Sequence, residues 1–207
     1  MTRYADQATR SRRQFLTTAM TFTGGALMVA CTSAPPTAEL PVLTFEQYTP
    51  IRFDVATLNV RRNYHPKFFP PHVEHKLIQP PYEALETWAR RRIQPVANNG
   101  EALMVIHEAS IIEQQVGGAK RLGPLTFSQP TYEYIANFAV RMDAVSPFWD
   151  LSGFAEARAE GRLTLDDQSS VDQRDRALIM LMERTISDLD RAFTAQLQKN
   201  LNALMGR

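Results

Sequence analysis

The stretch YEYIANFAVRMDAV, residues 132–145, followed after Ser146-Pro147 by WDLSGFAEARAEGRLTL, residues 149–165, decides the fold. In the first segment Tyr132, Tyr134, Ala136, Phe138, Val140 and Met142 recur at every second position. In the second, Trp149, Leu151, Gly153, Ala155, Ala157 and Ala159 do the same, while Asp150, Ser152, Glu156, Arg158, Glu160 and Arg162 occupy the alternate positions. Side chains alternate across a strand, so each segment reads as a strand with one apolar face, and Ser146-Pro147 makes the turn between them. That is the half-buried pattern of an antiparallel sheet.

The neighbouring segments extend this pattern. Ala102 to Gln115 is a further strand, rich in Val and Ile, joined to the first by a loop from Gly117-Gly118 to Pro130. Upstream, Ile51, Phe53 and Val55 alternate; Leu58 and Val60 resume one residue out of phase. A strand over 51–62 with a bulge near Ala56 or Thr57 accounts for the slip. Residues 63–81 carry Pro66, Pro70, Pro71, Pro80 and Pro81 and predict irregular structure. A helix is expected from Pro81 to about Ile93. Its stripe is Leu85, Trp88, Ala89, Arg92 and Ile93, with Arg92 snorkelling, and Pro95 and Asn98-Asn99-Gly100 stop it. Glu83 and Glu86 lie early in it and Arg90, Arg91 and Arg92 late, which suits the helix dipole. A last helix is expected over Val171–Leu204, capped by Ser169 or Ser170. Its stripe is Leu178, Leu181, Met182, Ile186, Leu189, Phe193, Leu197, Leu201 and Leu204, with charges on the other side. The order β-α-β-β-β-α predicts an α+β, two-layer domain. An antiparallel-rich four-stranded sheet carries both helices on one face and leaves the charged strand face wet.

The first residues read differently. Ser11-Arg12-Arg13-Gln14-Phe15-Leu16 precedes a moderately apolar stretch to Ala30, diluted by Thr17, Thr18, Thr21, Thr23, Gly24 and Gly25; Met28-Val29-Ala30-Cys31 follows. Basic n-region, apolar h-region and small residue before a cut are the parts of an export signal. Ser11, Arg12, Arg13, Phe15 and Leu16 resemble the twin-arginine motif S-R-R-x-F-L-K, with Thr17 in the last position. Met28 to Cys31 resembles a lipobox, with Met28 where Leu is usual. The resemblance implies a signal peptide over 1–30, cleavage before Cys31 and lipidation of Cys31 by diacylglyceryl and an N-acyl chain such as palmitate. Two or more chains anchor stably where one is marginal. Thr32, not Asp, follows the cysteine; by the usual sorting rule this favours the outer membrane, facing the periplasm. Pro35, Pro36 and Pro41 make residues 31–44 a semi-rigid tether, leaving 45–207 as a single domain.

Composition excludes some classes. Residues 1–30 hold four arginines and one aspartate, so of 23 basic and 22 acidic side chains 19 and 21 remain after the cut. A near-neutral remainder argues against a nucleic-acid partner. A single cysteine excludes an intrachain disulfide.

Candidate chemistry is sparse. His65, His72, Glu74 and His75 cluster, but without the H-x-x-x-H spacing that sets two rings on one helix face, so structural or solvated histidines are expected and no metal. His107 reads as a satisfied histidine within a strand. Gly117-Gly118-Ala119-Lys120-Arg121-Leu122-Gly123 lacks the P-loop pattern and reads as a hairpin loop. No G-x-S-x-G elbow occurs, Ser110 falls in a buried strand, and Asp166-Asp167 reads as turn chemistry before the last helix. No catalytic residue and no cofactor is assigned. Apolar groups on irregular segments, Phe68 and Phe69 beside Pro70-Pro71, and Leu122, Leu125 and Phe127 in the hairpin loop, are expected either to fold back and cover the sheet edge or to be the partner-binding or lipid-contact candidates.

Over residues 51–204 the layout resembles small periplasmic lipoproteins of the lipopolysaccharide-assembly kind, and auxiliary lipoproteins of ABC transporters that move lipids. The resemblance implies a non-enzymatic binding or assembly component of the cell envelope, held in the bilayer through Cys31 and contacting an envelope protein. The alternative is a periplasmic hydrolase of envelope polymers.

Overall fold

The computed structural model describes residues 39–117, 120–122, 125–127, 130–147 and 150–206. Two long strands dominate it, β7 (Thr131–Ser146) and β8 (Leu151–Asp166), paired antiparallel from Ser146↔Leu151 to Thr131↔Asp166. On its other side β7 pairs antiparallel with β4 (Glu101–Gly117), which pairs in parallel with β2 (Thr57–Arg62). The sheet order is β2-β4-β7-β8. A parallel pair needs a crossover, and α1 (Pro81–Arg92) lies between β2 and β4 in the chain. The last helix, α2 (Val171–Asn200), packs on β8 and β7. The protein is therefore α+β, with a four-stranded sheet and both helices on one face.

Local chemistry explains the elements. Ser170 caps α2 in a reciprocal box: Gln173 N donates to Ser170 Oγ (3.2 Å) and Ser170 N donates to Gln173 Oε1 (2.9 Å). The helix buries Leu178, Leu181, Met182, Ile186, Leu189, Phe193 and Leu197, each worth about 1.5–3 kcal/mol of transfer free energy. It lies close to β8 because β8 offers small residues. A Cβ at Gly153 would stand 2.8 Å from Leu201 Cδ2, and one at Gly161 would fall inside the van der Waals shell of Thr185 Oγ1. Thr185 cannot readily turn away, since its Oγ1 donates to Leu181 O at 2.7 Å.

The helices join through their own contacts. Trp88 meets Phe193 edge-on (centroids 5.5 Å, 73°). Asp190 Oδ1 accepts from Trp88 Nε1 at 3.0 Å and from Arg92 Nε at 2.7 Å. Arg92 also donates to Thr194 Oγ1 (3.1 Å) and to Thr49 O. So Arg92 does not snorkel to water; it is the partner of a buried carboxylate. Asp190 itself departs from the expectation that charges occupy only the outer side of the last helix.

Several boundaries differ from the sequence reading. The expected strand over 51–62 is two strands in two sheets. β1 (Ile51–Phe53) pairs in parallel with β3 (Ile93–Pro95), which directly follows α1. The chain breaks at 54–56, where Val55 N bonds to Phe53 O (2.8 Å) and Ala56 N to Gly100 O (3.0 Å). The phase slip thus marks a corner, not a bulge. Gly100 (φ 82°) stands where a Cβ would meet Val145 O at 2.8 Å, so glycine is required there. A true bulge lies elsewhere: β4 gains one residue between the pairs Ile106↔Val140 and Glu108↔Ala139. That extra residue is His107, which lies within the strand as expected and is exposed to solvent. The last helix ends at Asn200, and a 3-10 turn over Asn202–Leu204 carries Met205 into a bridge with Phe53. Trp149 lies outside the described residues. Among the described residues no helix is long and apolar enough to cross a membrane.

Gly161→Ala is expected to cost about 1–3 kcal/mol in urea unfolding by overpacking, and Thr185→Ala in the same chain should recover much of that loss, a coupling that a double-mutant cycle measures. Asp190→Ala strands two buried donors and should cost about 3–5 kcal/mol by the same assay.

Candidate functional site

Beyond Arg62 the edge of β4 loses its strand partner, and the proline-rich segment takes over. Asn63 N and Tyr64 N both donate to Ile106 O, at 2.9 and 3.1 Å. Further on, Glu113 N donates to Pro71 O (2.8 Å) and Val73 N to Ile111 O (2.9 Å), with His72 bridging Ile112. The fixed φ of proline suits a segment that must run extended along an edge. A 3-10 turn over Glu74–Lys76 then leads the chain toward α1.

Glu74 is fully buried beneath this segment. Tyr64 Oη donates to its Oε1, and Ile111 N approaches Oε2 at 3.4 Å. His72 Nδ1 lies 3.3 Å from Oε1. The carboxylate therefore stands where a neighbouring strand would present a carbonyl. Burial first, and then the bond to Glu74, drive the Tyr64 hydroxyl far above the ordinary tyrosine range. Of the histidine cluster, the structure brings His72 to Glu74 and buries the Nδ1 atoms of His72 and His75 without hydrogen-bond partners, while His65 is exposed. Among the described residues no three His, Cys, Asp or Glu side chains converge to hold a metal ion.

The two histidines have a packing role instead. Phe68 rests on His75 (centroids 5.4 Å, 53°) and Phe69 meets His72 edge-on (6.2 Å, 73°). Yet the phenyl groups remain 75% and 61% exposed, and Ile78 is 67% exposed. The loop thus presents its apolar groups outward on a braced backbone. The other candidates, Leu122, Leu125 and Phe127, fall in a small hairpin, β5 (Lys120–Leu122) with β6 (Leu125–Phe127), which extends the β4–β7 connection as expected; their side chains lie outside the described residues. Cys31 and the signal residues Ser11, Arg12, Arg13, Phe15 and Leu16 also lie outside the described residues.

Two further features, a polar cleft and a groove along α2, were not singled out by the sequence, whereas the charged sheet face was. A polar cleft of ≈ 150 Å³ lies among Glu113, Tyr132, Tyr134, Asp166, Asp167 and Arg174. In it Tyr134 Oη donates to Glu113 Oε2 at 2.5 Å. Burial, then the Glu113 carboxylate, push the Tyr134 hydroxyl up to about 12, with Arg174 opposing. An open groove of ≈ 980 Å³ runs along α2, lined by Tyr48, Leu163, Met180, Leu181, Arg184 and Asp188. The uncovered sheet face carries paired charges: Arg158–Glu156 (3.1 Å), Arg162–Glu160 (2.8 Å) and Arg141–Asp143 (2.7 Å). Arg141 lies 3.9 Å over the Phe154 ring and holds the Asp143 carboxyl below its ordinary value. Ser110 is buried, and Asp166 O accepts from Ser169 N (3.1 Å) in the turn before α2, as the sequence predicts.

No protein-family model matches the sequence, and no curated protein matches it.

Both tyrosines have folded-state values above the ordinary one near 10, so the unfolded chain loses these protons first. Their contribution to stability is complete below pH 10 and declines as pH rises toward about 12 for Tyr134. Tyr134→Phe should flatten the fall of urea-unfolding free energy over that alkaline window, and Tyr64→Phe should do so as well. Tyr64→Phe should in addition cost about 1–3 kcal/mol at neutral pH, because Glu74 loses its hydroxyl donor.

Proposed function

We propose that this chain is a twin-arginine-exported lipoprotein, cut before Cys31 and anchored in the envelope by acyl chains on that cysteine. It faces the periplasm, from the outer membrane. There it acts as a binding or assembly component in envelope biogenesis or lipid transport, in contact with an envelope protein. One observation carries the reading: Ser11-Arg12-Arg13-Gln14-Phe15-Leu16, a diluted apolar stretch and Met28-Val29-Ala30-Cys31 follow one another in the order export and lipidation require.

The domain supplies a fitting attachment. Leu43 N donates to Gln79 Oε1 (2.8 Å), and Gln79 Nε2 donates to Leu43 O (3.2 Å). Leu43 and Phe45 are buried. From Leu43 onward the chain is thus held in the packed domain.

Intact mass spectrometry of the membrane-extracted protein should give an N-terminus at Cys31 with diacylglyceryl added. Cys31→Ser should leave an unlipidated chain, and Arg12→Lys with Arg13→Lys should hold the precursor in the cytoplasm. A membrane-extracted protein with an unmodified Cys31 overturns the anchor. Export undiminished by the arginine substitutions overturns the route. A detergent pull-down of the lipidated protein should retain a defined envelope protein, and none retained overturns the assembly role.

A further inference from the structure

We propose that the segment Lys67–Ile78 is a bilayer-contact element: Phe68, Phe69 and Ile78 enter the interfacial zone of an anionic membrane, with Lys67 and Lys76 at the headgroups. The proposal rests on the lipid-anchor reading and gives the anchored domain an orientation.

The apolar groups come first. Phe68, Phe69 and Ile78 are more exposed than most large side chains of the domain. They are also fixed, since the backbone between them is bonded to β4 at Pro71 O and Val73 N and the rings sit on His75 and His72. A group already held outward loses little freedom on inserting. Three such side chains offer roughly 400 Å², short of the about 800 Å² per partner that a stable protein interface takes. A bilayer sets no such minimum, least of all for a domain already tethered to it, where a weak contact becomes an intramolecular one.

Charge selects the occupant. From Thr57 to Tyr82 the chain holds Arg61, Arg62, Lys67 and Lys76 against one acid, Glu74, which is buried. Lys67 and Lys76 are exposed beside the apolar groups. Cations flanking apolar groups favour an anionic membrane surface.

The described chain after the proposed anchor is bonded next to one end of this segment. Leu43 is clamped to Gln79, the residue after Ile78. From Cys31 to Leu43 the chain can span at most roughly 40 Å. A tether of that length lets the acyl chains and the end of the proposed contact segment at Ile78 reach one bilayer together.

The test uses the lipidated protein in vesicles of phosphatidylethanolamine and phosphatidylglycerol. A Phe68→Trp variant adds an indole at the proposed depth, read against the parent tryptophans Trp88 and Trp149. Lipids brominated near the headgroup should quench the added emission, and Lys67→Glu with Lys76→Glu should lower that quenching several-fold at low salt. An added emission quenched no more than the parent's overturns the proposal, as does one shielded only by a co-purifying protein. Failure of lipidation shows separately, as an intact mass lacking diacylglyceryl. In that case partitioning of the unacylated protein into the same vesicles still reads the surface. Phe68→Ser with Phe69→Ser should lower it about tenfold or more, and an unchanged partition overturns the proposal.

Discussion

One buried carboxylate holds the helical layer together. Asp190 accepts from the Trp88 indole and the Arg92 guanidinium of α1, and Arg92 continues to Thr194 and to the backbone of Thr49. Three separate stretches of chain meet there: the N-terminal segment, α1 and α2. Neither helix could cover the sheet alone, since α1 lies on β2 and β4 while α2 lies on β7 and β8. The ion pair is nearly dry, with Asp190 and Arg92 side chains 8% and 13% exposed. Such a pair costs desolvation and adds little net stability, but it penalises every other arrangement of its two helices. Its value to this fold is therefore register. It sets which turn of α2 faces Trp88, and the edge-on contact of Trp88 with Phe193 follows one turn on.

The sheet shows a matching economy on its two faces. Toward the helices β8 carries glycine and alanine, so a 30-residue helix lies close to an edge strand. Toward solvent the same strand carries arginine and glutamate in pairs. Exposed pairs of this kind contribute little energy each, but they keep a wide uncovered face soluble and discourage pairing with another sheet. The opposite edge, β4 beyond Ile106, is protected in another way. Prolines and the Glu74 carboxylate satisfy its backbone groups in place of a strand.

How much of this could be read beforehand follows from the range of the interactions. The alternation of β7 and β8, the stripe of α2 and its Ser170 cap depend on neighbours within a few residues, and they were readable. The split between β1 and β2 was visible only as a phase slip at Ala56 and Thr57. Its cause, a second sheet formed with residues just past α1, involves pairing across some forty positions. The three-residue strand Ile93–Pro95 has too few residues to show a period. Asp190 did leave a trace: it lies three residues before Phe193 and four after Ile186, on the buried stripe. An acid at such a position requires donors from outside its helix. Glu74 left none, because its burial depends on Tyr64 and on the edge of a strand more than thirty residues away.

That buried carboxylate bears on the exposed phenyls above it. A loop carrying two phenylalanines would ordinarily turn them inward and gain the transfer energy of both rings. Here the inward positions are taken. Glu74 and Tyr64 occupy the space beneath the turn, His72 and His75 occupy the layer above, and the backbone at Pro71 and Val73 is committed to β4. A collapse that pulled Glu74 from its donors would leave a buried carboxylate unsatisfied, a cost of about 1–3 kcal/mol or more that offsets what a buried ring gains. The polar core of the loop and its apolar surface are thus one arrangement: the first makes the second persistent. A braced apolar surface of this kind persists without a partner, and that persistence is what the proposed bilayer contact requires.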